Sequence, residues 1–313
     1  MPTTLRRVRV VTLGSDHPQA LTRATLAVVD EIEGIDHVDH LTANDVREHL
    51  RNARSEEYRA HMLSLQPDLL VSSAYARIVP EAVLAIPTIG AINVHPSLLP
   101  EYRGVLAVLW ALYEGRTKVG VTIHQMTVPV DTGPIVAQAS LDVTPHADPA
   151  EVQRMLGGLA APLLRETLEQ IRASGQIKGR SQPEGGSYRS VPKNEVRRLE
   201  LDWSLPASEL VRRDRIFREC GSIPLLKWRV FARRVEEAGP TGRPPGTILR
   251  RRPKSLHIAA GEGTSVLIEP ARPLRDWAKF GLFHLSTGRF NTISDGGSAG
   301  RAASAASDTG RVS

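Results

Sequence analysis

Asn93 and His95 stand one residue apart at the end of an apolar run, in AINVHPSLLPEYRG (91–104). A side-chain amide offers two N–H donors and can steady an oxygen that gains negative charge. An imidazole titrates near neutrality and can carry a proton at physiological pH. Residues i and i+2 of a strand point to the same face, so both side chains address one site. A carboxylate would complete the set by orienting or charging the imidazole. Asp131 is the best candidate, in VPVDTGP, where Gly133 and Pro134 fix the backbone of a loop between two strand-like runs. Donor, base and carboxylate together serve acyl transfer to a nucleophile that the protein does not supply. No G-x-S-x-G occurs, and Ser97 lacks a strand-to-helix elbow. An isolated Asn-x-His is more often a turn cap beside a satisfied core histidine, so the surrounding pattern has to decide.

The elements that must position these residues are legible as alternating runs. RVRVVTL (7–13), PDLLVSSA (67–74) and GAINVH (90–95) read as buried strands. Residues 18–33 carry a helical pattern, and VPEAVLAI (79–86) reads as a short helix. VLAVLWALYEG (105–115) reads as an apolar helix closed by Gly115. VGVTIHQM (119–126) and IVAQASLDV (135–143) are β-rich, and 148–174 reads as one long helix opened by Asp148 and Pro149. This alternation predicts an α/β domain, Rossmann-like, with a mostly parallel sheet covered on both faces. Such sheets carry their sites at the carboxyl ends of strands, where Asn93 and His95 lie. TLGSDHPQ follows the first strand in place of G-x-G-x-x-G, so a dinucleotide site is not expected.

The expected organisation is a catalytic domain over 1–177, a linker over 178–197, a small mainly β, barrel-like domain over 198–290 and a disordered tail over 291–313. QIKGRSQPEGGSYRSVPK (176–193) is rich in Gly, Pro and Ser. After it come LDWSLPASELVRRDRIF, a helix with Ser204 as possible N-cap, and the β-like runs LLKWRVFARRV (225–235), GTILRR (246–251), SLHIAAG (255–261) and TSVLIE (264–269). AGEGTS between the last two signals a hairpin. No apolar run approaches transmembrane length, and no signal peptide is expected at the N-terminus. The one cysteine, Cys220, excludes an internal disulfide and fits the cytosol. Net charge is +6 but uneven: 15 Lys and Arg against 20 Asp and Glu over residues 1–177, then 25 against 14. Two halves of opposite sign predict two domains with different tasks, the basic one suited to an anionic partner such as RNA or to a plain arginine-rich surface.

Taken together, NVHPSLLPEYRG (93–104), GVTIHQM (120–126), DTGPIVAQ (131–138) and PDLLVSSAYARIVP (67–80) resemble the folate-dependent formyltransferases. The 36 positions from His95 to Asp131 agree with that family. The second half resembles, more weakly, the C-terminal β-domain of methionyl-tRNA formyltransferases, through LDWSLPASEL and GTILRR…LHIAAGEG…VLIEPARP. The resemblance implies 10-formyltetrahydrofolate as formyl donor and no metal. It implies that Asn93 binds the oxyanion, that His95 assists proton transfer from the attacking amine, and that Asp131 positions His95 and an ordered water. It places the pterin against the backbone of Arg77, Ile78 and Val79 and against the loop at Val128, Pro129 and Val130. Ser97, Leu98 and Arg103 would shape the loop over the amine; Arg103 could equally be a surface residue or a structural ion pair.

The acceptor divides the reading. Chain length, the second domain and its charge favour initiator tRNA. The first half departs from that, with TLGSDHPQ in place of a Gly-Thr-Pro turn and basic loop, followed by the acidic VDEIEGIDHVDH. A small-molecule amine, such as that of an amino sugar, is the preferred acceptor. Methionyl-tRNA is the alternative, and a catalytically inactive folate-binding protein or a deformylase are further ones. DHVDH (36–40) lacks a strong metal spacing and is expected to be a solvated strand edge. His124 is expected to serve packing, with the site wall as the alternative. RRRPK (250–254) and VRRDRIFR (211–218) could touch phosphates or simply be charged surface.

Overall fold

The computed structural model describes residues 7–15, 19–48, 56–144, 146–189, 202–217 and 232–270. Cys220, most of LLKWRVFARRV, the end of the expected linker and the expected disordered tail lie outside them. The described residues fall into two compact units. One is drawn from Met1–Leu201 and Val211–Ala232, the other from Asp202–Leu210 and Arg233–Ser313.

The first unit is built on a six-stranded sheet. Its strands are β1 (Val8–Gly14), β2 (Ile35–Thr42), β3 (Leu69–Ser73), β4 (Gly90–His95), β6 (Lys118–Gln125) and β7 (Ile135–Asp142). Their order across the sheet is β2-β1-β3-β4-β6-β7. The first four run parallel. β6 is antiparallel to β4, and β7 to β6. β3 is buried along its whole length and β1 nearly so, as expected for strands covered on both faces. Helix α1 (Ala20–Glu31) buries Leu21, Thr22, Thr25, Val28 and Val29, one stripe at helical spacing.

Helix α6 (Pro149–Ser174) starts where the sequence places it. Asp148 Oδ1 accepts from the N–H groups of Ala150 (2.9 Å) and Glu151 (3.2 Å), and Pro149 occupies the first turn. Helices α2 (Ala43–Glu48), α3 (Glu56–Leu65) and α4 (Glu81–Leu84) connect the early strands. Helix α5 (Ala107–Tyr113) is shorter than expected at its start, because Leu106 adopts a left-handed conformation (φ 55°) that ends the preceding loop. Two further pairs of residues, β5 (Arg103–Gly104) and β8 (Tyr188–Arg189), run parallel to each other.

That last pairing corrects the expected linker. Up to Arg189 the segment belongs to the first unit. Arg180 exchanges backbone bonds with Ile135, both at 2.8 Å. VRRDRIF is structural as well: Arg212 is buried and donates to the carbonyls of Leu112 and Tyr113, and Arg213 lies 5.0 Å over the Tyr113 ring.

In the second unit, β9 (Ala232–Ala238), β10 (Ile248–Arg252), β11 (Ser255–Ala259) and β12 (Ser265–Pro270) form one sheet in the order β10-β11-β12-β9. β11 and β12 make the expected hairpin. Helix α7 (Ala207–Phe217), of which only 207–210 fall in this unit, starts three residues after Ser204, which is therefore not its N-cap. The Ser204 hydroxyl donates to Asp202 Oδ1 at 2.6 Å, and Thr264 Oγ1 accepts from the Ala207 N–H at 2.8 Å. Arg250, Arg251, Arg252 and Lys254 are exposed.

Candidate active site

β4 ends on His95 in the middle of the sheet, beside β6. The antiparallel register sets Asn93 opposite His124 and His95 opposite Thr122. The chain then turns through 96–106 and returns in α5. Asp131 enters from the connection between β6 and β7. Its backbone is left-handed (φ 54°), an uncommon state for a residue with a side chain. That conformation folds the carboxylate back over the end of β4. Asp131 Oδ2 lies 3.5 Å from His95 Nδ1 and accepts the Gly104 N–H at 2.8 Å. Asp131 Oδ1 accepts from Asn93 Nδ2 at 3.4 Å and lies 3.3 Å from His124 Nε2. Residues 36 positions apart in the chain therefore meet at the carboxyl end of a strand.

The hydrogen bonds assign tautomers. His95 Nε2 lies 2.9 Å from the Tyr102 carbonyl, which can only accept. The ring hydrogen therefore sits on Nε2, and Nδ1 keeps its lone pair toward Asp131. His95 is 4% exposed. Burial pushes its pKa below the ordinary 6.5; Asp131 opposes this, the neighbouring His124 adds to it, and the bond to Tyr102 opposes it. The imidazole is a neutral base at pH 7. Burial alone would raise Asp131, but the neighbouring His95, the His124 ring and the Gly104 N–H together hold it down to about 2. It is a carboxylate at every physiological pH.

His124 is the residue that sequence reasoning left between two roles. Its Nδ1–H donates to the Gln125 carbonyl (2.9 Å), so Nε2 accepts from Asn93 Nδ2 at 3.2 Å. With Asp131 it fixes which end of the Asn93 amide carries the hydrogens. The two imidazoles meet edge to face, with centroids 6.2 Å apart. The signal that would have found His124 is the strand register, which a single sequence does not display.

A cleft of about 620 Å³ opens over these four side chains. Arg77, Ile78, Val79, Val128 and Val130 line it. Ile78 and Val128 are 68% and 56% exposed, two large apolar side chains held out at the cleft rather than packed in a core. Pro129 is not on the lining; its carbonyl accepts from Thr132 Oγ1 at 2.8 Å. Ser97, Leu98 and Arg103 are not on the lining either. Ser97 Oγ donates to the Glu101 carbonyl (2.7 Å), which tightens the 97–101 turn. The Leu98 side chain packs over Gly120. Arg103 binds Gln182 Oε1 through Nε (3.1 Å) and Nη2 (2.7 Å). All three shape the loop through its backbone and core side. Among the described residues no group of histidine, cysteine and carboxylate side chains could hold a metal ion.

A family model described as "Formyl transferase" matches residues 7–167, which hold the whole sheet and all four site residues. The chain belongs to the formyl transferase family. Among curated proteins it is 35% identical over 218 residues to a methionyl-tRNA formyltransferase of Myxococcus xanthus, covering 69% of each chain. It is 36% identical over 217 residues to a methionyl-tRNA formyltransferase of Xanthomonas campestris, covering 67% of this chain and 69% of that one. Among solved structures it resembles HypX from Aquifex aeolicus in complex with tetrahydrofolic acid (TM-score 0.58, 20% identity, 84% of this chain and 43% of that one). The chain therefore spans less than half of HypX. It also resembles a sugar N-formyltransferase from Shewanella (TM-score 0.53, 20% identity, 67% and 89%). At these identities the structural likenesses establish the fold. No described helix is long and apolar enough to cross a membrane.

Proposed function

We propose that this formyltransferase moves a formyl group from 10-formyltetrahydrofolate to the primary amine of a small metabolite. One observation carries the reading: Asn93, His95 and Asp131 converge on the cleft, with the basic nitrogen of His95 already bare and facing Asp131. The donor supplies an activated one-carbon unit at the formyl level. The backbone of 77–79 and of the 128–130 loop, with the exposed Ile78 and Val128, offers it hydrogen-bonding groups and apolar walls.

Each protein group then has a definite task. His95 Nδ1 takes the proton that the amine loses as its nitrogen bonds to the formyl carbon. The same atom returns that proton to the nitrogen from which the formyl group departs, so protons balance over the cycle. Asp131 cannot set the tautomer, because Tyr102 does that. Its charge, 3.5 Å from Nδ1, steadies the imidazolium that exists between the two transfers. Asn93 Nδ2 keeps one hydrogen on His124 and turns the other, held only at 3.4 Å by Asp131 Oδ1, to the formyl oxygen as it gains charge.

The cleft itself favours a small acceptor. The Lys, Arg, Asp and Glu side chains on its lining are Arg77, Asp131 and Arg189. Each already has a partner within the protein. Arg77 Nε donates to the Ala43 carbonyl (3.1 Å), and Arg189 pairs with Glu114 and lies 4.8 Å over Trp110. Two described lining cations, Arg77 and Arg189, one of them already paired with Glu114, are few for a chain of phosphates. A second reading, initiator methionyl-tRNA, is supported by the curated relatives and by the exposed Arg250–Arg252 and Lys254 of the second unit.

The test supplies 10-formyltetrahydrofolate with Met-tRNA and, in parallel, a panel of amino sugars and other primary amines. Turnover of a small amine that is insensitive to salt supports the first reading. Formylation of Met-tRNA alone, declining steeply with salt, replaces it with the second.

A further inference from the structure

Two side-chain-bearing residues that serve the site have left-handed backbones. Asp131 (φ 54°) supplies the carboxylate, and Tyr102 (φ 57°) supplies the carbonyl that orients His95. Such conformations persist only where the surroundings hold them. For both residues part of the hold comes from one short segment, 180–189, whose composition reads as a linker.

Gln182 holds the first. Its Nε2 donates to the carbonyls of Asp131 and Gly133, each at 2.8 Å. Its Oε1 accepts both Arg103 bonds, and Arg103 Nη1 adds the Gly185 carbonyl at 3.3 Å. A flipped amide would set oxygen against two carbonyls and NH2 against a guanidinium, so only one orientation fits. Ser187 holds the second. Its Oγ accepts the Tyr102 N–H (2.8 Å) and donates to Glu101 Oε2 (2.9 Å). The segment lies against the loop with no room between them. A side chain at Gly104 would collide with the Arg189 carbonyl, and one at Gly186 with the Pro100 carbonyl.

We infer that residues 180–189 form a positioning strap, in which Gln182, braced by Arg103, and Ser187 lock the backbones that aim the Asp131 carboxylate and the His95 imidazole. The inference rests on the catalytic roles proposed above. Gln182 and Ser187 touch neither reactant; they act through Asp131 and Tyr102. Arg103 thus belongs to the support of the site rather than to its amine contacts.

The strap is tested in the full chain with Gln182→Met, which keeps length and removes both donors and the acceptor. Two readouts are taken. The first is the His95 titration, followed by NMR on histidine-labelled protein and assigned by loss of the signal in His95→Gln. It needs no acceptor. The second is kcat with 10-formyltetrahydrofolate and an amine that the wild type formylates. With the Asp131 loop released, His95 loses the carboxylate that favours its charged form. Its titration moves to lower pH, and kcat falls roughly 10- to 100-fold. Arg103→Met, which leaves Gln182 in place but unbraced, gives a smaller shift of the same sign. Ser187→Ala lowers kcat, and Ser187→Thr, which keeps the hydroxyl, restores it.

Wild-type titration and kcat in Gln182→Met overturn the strap, as does equal behaviour of Ser187→Ala and Ser187→Thr. The outcome for the catalytic reading is separate. Asp131→Asn with wild-type kcat overturns that reading. Asp131→Asn inactive beside a normal Gln182→Met overturns the strap alone.

Discussion

Two histidine–carboxylate clusters sit on the same sheet, and only one has the makings of a catalyst. At the β1–β2 edge, His37 Nδ1 lies 2.6 Å from Asp30, His37 Nε2 lies 2.9 Å from Thr12 Oγ1, and Thr12 Oγ1 lies 2.7 Å from His40 Nδ1. On paper this is the better chain: acid, imidazole, hydroxyl, imidazole, all at short distances. Yet Thr12 is 1% exposed, and neither His37 nor His40 lines the cleft. At the centre of the sheet the contacts are looser. His95 Nδ1 stands 3.5 Å from its carboxylate with its lone pair uncommitted, and the cleft opens beside it. A satisfied hydrogen bond holds a side chain, whereas a base needs an acceptor site still open and a path for substrate. The difference between the clusters is access: the edge cluster too has a ring nitrogen without a hydrogen-bond partner, His40 Nε2, but it is buried and away from the cleft.

Single substitutions in each region test this contrast. The largest effect is expected at His95. His95→Gln keeps an N–H for the Tyr102 carbonyl but has no basic nitrogen, and kcat falls roughly 100- to 10,000-fold. Turnover within a few-fold of wild type in a steady-state assay would remove His95 as the proton carrier. Asn93→Ala follows, with kcat lower by roughly 100- to 1,000-fold and binding of the folate donor, measured by calorimetry, little changed. His124→Ala leaves the Asn93 amide free to turn. It costs roughly 10-fold in kcat, less than either neighbour, because His124 acts through Asn93.

The pH profile reports the same geometry. Burial holds the His95 pKa below 6.5, so the acid limb of kcat lies below that value and activity is level across neutral pH. In Asp131→Asn the charge that opposes this depression is gone. The limb moves to still lower pH while the plateau drops. A limb that moves upward, or stays fixed, contradicts the placing of Asp131 beside Nδ1.

Much of this was legible in the chain, for identifiable reasons. Val- and Ile-rich runs announced the strands, and Asp148-Pro149 announced α6, because burial and capping leave marks in local sequence. Asn93 and His95 were legible because period 2 puts them on one face, and Asp131 through its turn chemistry and the family resemblance. Two things were not. His124 joins the site through the β4–β6 register, a non-local fact. The segment 176–189 is held by side-chain bonds to loop carbonyls and by glycines that allow close approach. Neither leaves a hydrophobic period, so its composition reads as a linker. The role of Arg103 stayed open for the same reason: its partner, Gln182, is 79 residues away in the chain.

The smallest expected effect separates the clusters by stability instead of rate. His37→Ala removes the bonds to Asp30 and Thr12 and leaves the cleft untouched, so kcat stays at the wild-type value. Stability to urea falls by about 1–3 kcal/mol. Acid sensitivity adds a second measure. The pKa of His40 is lowered chiefly by burial and then by His37, with Asp45, Asp39 and Asp30 opposing, and that of His95 is lowered as described. Both groups bind protons more readily in the unfolded chain. Their contribution to stability is therefore present above pH 6.5 and is lost as pH falls from there toward the folded values. His40→Gln removes one of the two and should flatten the decline of urea midpoint below pH 6.5 without moving the acid limb of kcat. If the limb moves with His40, the edge cluster is coupled to the chemistry, and access alone does not distinguish the two regions.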